Sequence, residues 1–584
     1  MIIGIFGQPV NEVSASNLSE PKLVPPAISL PQFQSQCRRW AIGLALLFFL
    51  LFLPTLPSLS RWRGDEQFYT DAAIGMIKTG NYLAPTYGDG RLRFRKPILT
   101  YWAVVAGYKV FGFNYFGSRF LFLLAGSLCI WLSFELCLLL TGKPGQSLIA
   151  TAIMASNLTV QHTSIRSTPD MLLCVLLLTS LLGFVGLIFR GPRVKWYFLA
   201  YFGAALAVAT KGLSGLLPVG YAFLYCALAR PPGLQLRRLL HRWIVPAAVL
   251  LAGTWYLWAF AQHGGSAAGD FFGDQVGDRF SGSKMYLVEN AVVYLVEFLR
   301  QLLPWSLLAV LAVAIDWRGA LENLRQQSHF WFIVGWILLF YVVFVPANIQ
   351  RTRYFMPVYP FLALLFSSLF LHPSNSFNMQ QLVPRFLAVL YLVAIIAGAG
   401  LAAFGWMADS VLSISGLVLG GTATAVWFVC KTQQIPQKLA IISGWLILAH
   451  CIDLLLIQPV FVTSPAPSLV QFCLSNAAVR GREVIPLAGG DPGYASQVRA
   501  LSGGVLNPIV VPADQCDRAL HERGLIICSD KVLKRWNPAG VHFEKCATGS
   551  ASWKARDYLA LLRAADRTKV RDSHKTEFFL VTGD

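Results

Sequence analysis

Long apolar runs recur through the first 460 residues of this 584-residue chain, and they restrict it to one environment. The first, residues 40–57, is about eighteen residues long without a charged side chain, enough to cross the hydrocarbon of a bilayer. About thirteen such runs follow the same rule. They lie near 40–57, 117–140, 146–163, 171–189, 196–210, 212–229, 243–262, 291–315, 330–346, 355–371, 385–407, 411–430 and 439–458. Only 13% of residues are charged, about half the fraction of a soluble domain. The expected fold class is therefore a polytopic, all-α membrane protein.

Three parts follow from this pattern. Residues 1–38 are polar and read as a flexible cytoplasmic tail, with Arg38 and Arg39 at the mouth of the first run and no cleavable signal peptide apparent. Residues 39–460 form the membrane domain, with a long outer loop at 58–116. Residues 461–584 turn polar and read as a small soluble α/β domain, with strands near 483–489, 508–511, 524–528 and 577–582 and a helix over 554–567. The glycine-rich residues 489–493 lack P-loop spacing and read as a turn. Cys473, Cys516, Cys528 and Cys546 of this domain allow up to two disulfides, and their spacing carries no zinc signature.

The net charge of +19 invites a nucleic-acid reading, but no basic stripe carries interleaved aromatics. Sorting the loops by parity explains it better. Residues 190–195, 230–238, 317–318 and 431–438 fall on the side of the N-terminus, and they are short and mostly basic, as cytoplasmic loops are. The opposite side holds Asp65 with Glu66, Arg95 with Lys96, Arg166 to Asp170, Lys211, Asp270 to Arg279, and Arg351 to Tyr354. One such cluster alone would be a helix anchored by snorkelling. Six on one face suggest a polar cavity at the outer membrane–water boundary.

Within the outer loop, residues 65–78 and 97–110 read as amphipathic helices on the membrane surface. Adjacent helical residues point about 100° apart, so Asp65 and Glu66 cannot both serve one small ligand. Asp65 shares a face with Tyr69 and is the choice for the site; the alternative for the acidic pair is a solvated loop. Asp170 follows Thr168 and Pro169 at a helix start, where its charge suits either a cap or a site. The cations Lys96, Arg166, Lys211, Arg279, Arg351 and Arg353 suit a lipid-linked phosphate or pyrophosphate, and a carboxylate beside them would orient or deprotonate an acceptor hydroxyl. His162 and His263 are lone histidines at span ends, more often structural than ligating.

These residues resemble a known family. Residues 64–69, 79–85 and 95–102 look like the first outer loop of GT-C glycosyltransferases, in the branch holding the lipid A aminoarabinose transferases and protein mannosyltransferase-like enzymes. Residues 111–119, 166–171, 210–212, 278–280, 303–305 and 353–360 continue the likeness in order, over roughly residues 40–460. The resemblance implies a thirteen-span bacterial inner-membrane protein with its C-terminal domain in the periplasm. It implies inverting transfer of a sugar from a polyprenyl-phosphate donor to lipid A or another envelope glycan; protein O-glycosylation is the alternative within the class.

By the same resemblance, Asp65 and Asp170 are the catalytic carboxylates, and Lys96, Lys211, Arg279 and Arg353 hold the donor phosphate. Glu66, Tyr69, Arg166 and Tyr354 line the substrate cavity. The family's Glu-Lys-Pro-Pro motif departs here, with Arg95 for the glutamate and Ile98 for the second proline. That glutamate helps hold a metal in the aminoarabinose transferases, so no metal ligand is assigned and the cofactor is left open. A lipid-linked sugar transporter would instead show midplane charges and internal repeats, and neither is evident.

Overall fold

The computed structural model describes residues 29–59, 64–230, 236–273, 287–327, 329–346, 351–371, 379–482, 484–489, 493–550, 570 and 572–583. Among them, nine helices are long and apolar enough to cross a membrane, or up to eleven if each of two bent pairs is one span. The chain is a multi-pass helical membrane protein with a C-terminal sheet domain. Ten helices lead to the site: α1 (Leu30–Phe52), α2 (Gln67–Thr79), α3 (Leu99–Phe111), α4 (Tyr115–Thr141), α5 (Pro144–Ala155), α6 (Leu158–Ser164), α7 (Pro169–Phe189), α8 (Val194–Lys211), α9 (Leu217–Ala229) and α10 (Ile244–Phe272).

Several runs differ from their sequence reading for local reasons. Helix α1 begins at Leu30, within the expected tail, where Pro31 opens the first turn and the Ser29 amide donates to Gln32 Oε1 at 3.1 Å. Its extra turns bring Arg38 to Glu135 of α4 in a two-pronged pair of 2.7 and 2.9 Å. The expected run at 146–163 is two helices, α5 and α6, because Asn157 leaves the helix and caps α6 by accepting the Val160 amide at 3.1 Å. The run at 291–315 is likewise Leu287–Gln301 and Trp305–Ile315, and this pair is bent by 105°.

Residues 194–229 pass as one helical stretch by length, yet the chain reverses at Gly212 (φ 70°). A Cβ on Gly215 would overlap the backbone of Val208. Tyr225 near the end of α9 lies 6.1 Å from Phe189, close to where α8 starts. Helix α9 therefore folds back beside α8, and Lys211 sits at the turn.

Small residues and buried polar contacts hold the bundle together, since lipid supplies no hydrophobic drive between helices. A Cβ on Gly183 of α7 would strike the backbone of Ala200 of α8, so the two helices approach to backbone contact. Asn157 donates to Gln301 O at 3.1 Å, Thr159 to Gln301 Oε1 at 2.6 Å, and Trp305 to Ser156 Oγ at 2.8 Å. These fix the α5–α6 break against the helix Leu287–Gln301.

The C-terminal domain carries a five-stranded sheet, β1 (Val484–Ala488), β2 (Asn507–Val511), β3 (Leu525–Ser529), β4 (Val541–Ser550) and β5 (Lys575–Gly583), in the order β2-β1-β3-β5-β4. Strand β1 pairs parallel with β2 and β3, and β5 pairs antiparallel with β3 and β4. Strands β1, β2, β3 and β5 fall where the alternation placed them. Strand β4 was not anticipated, and the expected helix at 554–567 lies outside the described residues, as does most of the glycine turn after Gly489 (φ 80°). The disulfides allowed by the sequence are not formed: all four cysteines are buried free thiols, Cys473 and Cys546 on one face of the sheet, Cys516 and Cys528 on the other. Burial pushes the thiols of Cys473 and Cys528 up to about 12.

This domain docks on the segment between α1 and α4. Arg499, from the helix Gly493–Leu501, forms a buried ion pair with Asp71 of α2, whose other oxygen accepts from Ser496 at 3.0 Å. Arg499 is itself held by Asn507 Oδ1 at 2.9 Å and Pro508 O at 3.2 Å on β2. Its guanidinium fills the space a Cβ on Gly88 would need. One side chain thus clamps α2 and the 85–93 hairpin against the C-terminal sheet domain. Removing it leaves a buried carboxylate without its cation, a loss of roughly 3 kcal/mol. Arg499→Ala should lower the melting temperature of the detergent-purified protein and expose the C-terminal domain to protease, while Arg499→Lys retains part of the wild-type stability; an unshifted melt for Arg499→Ala would show that the clamp contributes nothing.

Candidate active site

The short 3-10 turn Gly64–Glu66 leads into α2 and sends its two carboxylates in opposite directions. Glu66 is fully buried and meets Arg119 of α4 through two contacts of 2.8 Å, with the Ser167 amide donating to Oε1 at 3.0 Å. Arg119 also donates to the carbonyls of Leu56 (2.9 Å) and Ser58 (2.7 Å) at the exit of the first span. Contrary to the sequence expectation, Glu66 does not line the cavity; it ties the first span's exit to α4 and to the turn before α7.

Asp65 faces the other way. Its Oδ2 lies 2.5 Å from Arg353 Nη2. The Nε of the same guanidinium lies 2.9 Å from Asp170 Oδ2, an ion-pair distance without hydrogen-bond alignment. Lys211 Nζ closes the chain at 2.5 Å from Asp170 Oδ1, and the ammonium sits 3.9 Å from the centre of the Tyr354 ring. Four sequence-chosen charges, from the outer loop, α7, α8 and the 3-10 turn Thr352–Val358, thus form one alternating row. The two readings of Asp170 separate here. It stands in the first turn of α7, which has Thr168 as its N-cap, and its carboxylate is spent on Lys211 and Arg353 rather than on the helix amides.

Two polar cavities meet at this row. One, of about 280 Å³, is lined by Asp65, Tyr69, Lys96, Asp170, Lys211, Arg353 and Tyr354, and by Phe68, Tyr87, Arg93, Arg95 and Arg351. The other, of about 560 Å³, is lined by Arg166, Arg300, His162, Thr159 and Gln301. Asp65, Arg351 and Arg353 belong to both walls. Tyr69 is fully buried, and burial pushes its phenol well above the ordinary value, so it presents a neutral hydroxyl. His263 packs on Phe94 at 4.8 Å and lines neither cavity. Arg279 lies outside the described residues.

Two of these wall residues escaped the sequence reading. Arg300 sits near the end of a helix read as span, and only tertiary packing carries it to Arg166. Arg93 had a legible signal: Arg91, Arg93 and Arg95 alternate with Leu92 and Phe94, and in extended chain alternate side chains share a face.

With the geometry in place, the chain can be compared with known proteins. Residues 95–258 match the family described as dolichyl-phosphate-mannose-protein mannosyltransferase. An uncharacterised protein of Aquifex aeolicus is 27% identical over 60% of this chain and 67% of its own. The undecaprenyl phosphate-alpha-4-amino-4-deoxy-L-arabinose arabinosyl transferase 1 of Pseudomonas fluorescens is 27% identical over 61% of this chain and 64% of its own. The chain therefore spans about two thirds or less of the curated relatives it matches. The crystal structure of ArnT from Cupriavidus metallidurans bound to undecaprenyl phosphate superposes with a TM-score of 0.67 at 16% identity, covering 93% of this chain and 98% of that one. By fold and by sequence together, this is a GT-C-fold membrane protein similar to the aminoarabinose transferases and to the protein mannosyltransferase-like proteins.

Proposed function

We propose that the chain is an inverting glycosyltransferase that takes a sugar from a polyprenyl-phosphate donor and delivers it to lipid A or another envelope glycan at the periplasmic face of the inner membrane. The observation that carries the reading is Asp65, held by Arg353 where two cation-rich cavities meet. The relatives named as undecaprenyl-phosphate-sugar transferases support the donor class. So does the similar fold solved with undecaprenyl phosphate.

In this reading the donor phosphate enters the smaller cavity and takes its counter-charges from Lys96, Lys211 and Arg353, with Arg279 assigned to it from the resemblance alone. Arg353 exchanges part of its contact with Asp65 for phosphate oxygen, which frees the carboxylate. The acceptor approaches through the larger cavity, past Arg166. Its oxygen bonds to the sugar's anomeric carbon as the carbon–oxygen bond to phosphate breaks, and the electron pair leaves with the phosphate. A single displacement from the opposite face inverts the centre. Asp65 takes the proton of a hydroxyl acceptor; a phosphate acceptor is already ionised, and Asp65 then orients it. Asp170 holds Lys211 and Arg353 in place, and Tyr69 and Tyr354 shape the sugar's side of the cavity.

The match to protein mannosyltransferases over residues 95–258 favours protein O-glycosylation as the second reading. Mass spectrometry of lipid A and of envelope proteins from cells with and without the chain separates the two, because the sugar-mass shift appears on one class or the other; no shift on either would sink both. Asp65→Asn should reduce transfer by about a hundredfold or more while the protein stays folded, and near-normal turnover would remove Asp65 from the reaction. Lys96→Ala and Lys211→Ala should each weaken donor binding or turnover by roughly tenfold to a hundredfold; unchanged kinetics in both would discredit the phosphate site.

A further inference from the structure

Arg93 has an environment that its fold alone does not explain. It ends the 85–93 hairpin, where its amide donates to Pro85 O at 2.8 Å and Thr86 bridges Leu92. Its side chain, 5% exposed, runs into a cage of Phe68 (4.8 Å to the ring centre), Tyr69 (5.5 Å), Tyr87 (5.5 Å) and Tyr101 (5.9 Å). One Nη donates to the Tyr101 hydroxyl. The Nε is buried with no hydrogen-bond partner, and no carboxylate pairs with this guanidinium among the described residues. Burial works against the charge, and the aromatic faces and the Tyr101 hydroxyl around the guanidinium work for it. A buried cation with an unused donor is costly unless something anionic completes it. Arg93 lines the smaller cavity, where such a group would sit.

The wall around it is a poor place for a divalent cation. Among the described residues it presents six cationic side chains, Arg93, Arg95, Lys96, Lys211, Arg351 and Arg353, against the carboxylates of Asp65 and Asp170. Both carboxylates are already engaged by Arg353, and Asp170 by Lys211 as well. The position where the resembled family places a metal-holding glutamate is Arg95. Among the described residues no three His, Cys, Asp or Glu side chains are grouped to hold a metal ion. Harder divalent ions need several oxygen ligands, and the softer ones need imidazole or thiolate. The donor set fits neither.

We propose that Arg93 binds the anionic head of the donor in this cavity, and that Arg93 and Arg95 supply the charge a divalent ion would otherwise supply, so that the donor binds without a metal. The inference rests on the donor class proposed above. A guanidinium caged by aromatic faces is fixed in place and presents N–H groups to phosphate oxygen in a planar fork. No bond is made or broken by it.

The test uses the full-length protein in detergent and undecaprenyl phosphate as the probe, with affinity and ligand-induced melting shift measured in EDTA and in magnesium or manganese. Wild type should bind equally in all three. Arg93→Met, which fills the cage without charge, should lose tenfold or more in affinity and keep or raise its melting temperature without ligand, and Arg93→Lys should recover part of the affinity. Wild-type binding that vanishes in EDTA and returns with the metal overturns the metal-free part. Unchanged affinity in Arg93→Met overturns the role of Arg93 while leaving the donor class standing. A wild type that binds no undecaprenyl phosphate under any condition sinks the donor class and this inference with it.

Discussion

The buried pair of Glu66 and Arg119 decides the orientation of the site. A carboxylate removed from water is stable only when its oxygens are met by charge and hydrogen bonds. Glu66 has the two-pronged contact of Arg119 and the Ser167 amide. Arg119 in turn ties down the carbonyls of Leu56 and Ser58, where the first span ends. With Glu66 turned inward, the next residue back along the turn must face the cavity. Asp65 therefore reaches Arg353 because of where its neighbour is anchored, and the same lock sets the position of the 165–168 turn from which Asp170 enters α7.

A second constraint acts from outside the bundle. Helix α2 follows directly on the turn that holds Asp65 and carries Tyr69 at its start and Asp71 further on, and the hairpin that follows leads to Tyr87, Arg93, Arg95 and Lys96. Both segments meet Arg499 of the C-terminal domain, through the Asp71 ion pair on one side and the bare Gly88 on the other. The C-terminal domain thus reaches the cavity wall mechanically, and none of its described residues lines that wall. The aromatic cage about Arg93 depends on this, since Phe68, Tyr69 and Tyr87 come from those same two segments.

Much of this was legible in one sequence because the membrane simplifies the reading. Run length and charge placed Asp65, Lys96, Asp170, Lys211 and Arg353 at one level before any contact was known, and all five line one cavity. What failed to show depends on tertiary geometry. The break at Asn157 looks like one polar residue inside a span. Strand β4 alternates weakly, and its pairing with β5 is what makes it a strand. The inward turn of Glu66 does not show, because its partner, Arg119, lies fifty-three residues away. Arg499 lies farther still from Asp71, in a domain whose docking no local pattern announces.

The charge balance at the cavity then constrains what enters it. The row Asp65, Arg353, Asp170, Lys211 neutralises itself, and among the described residues Arg93, Arg95, Lys96 and Arg351 line the same wall. Clustered like charges in a concave, partly apolar setting repel one another and focus a positive potential outward. A neutral sugar would relieve none of that repulsion, whereas a phosphate relieves most of it at once. Arg353 touches both carboxylates and both cavities, so a phosphate that draws it away from Asp65 changes the charge of the second cavity as it fills the first. In the proposed reading, binding at one cavity is thereby linked to the state of the carboxylate at the other through a single guanidinium, and donor and acceptor would need no direct contact for the first to prepare the site for the second.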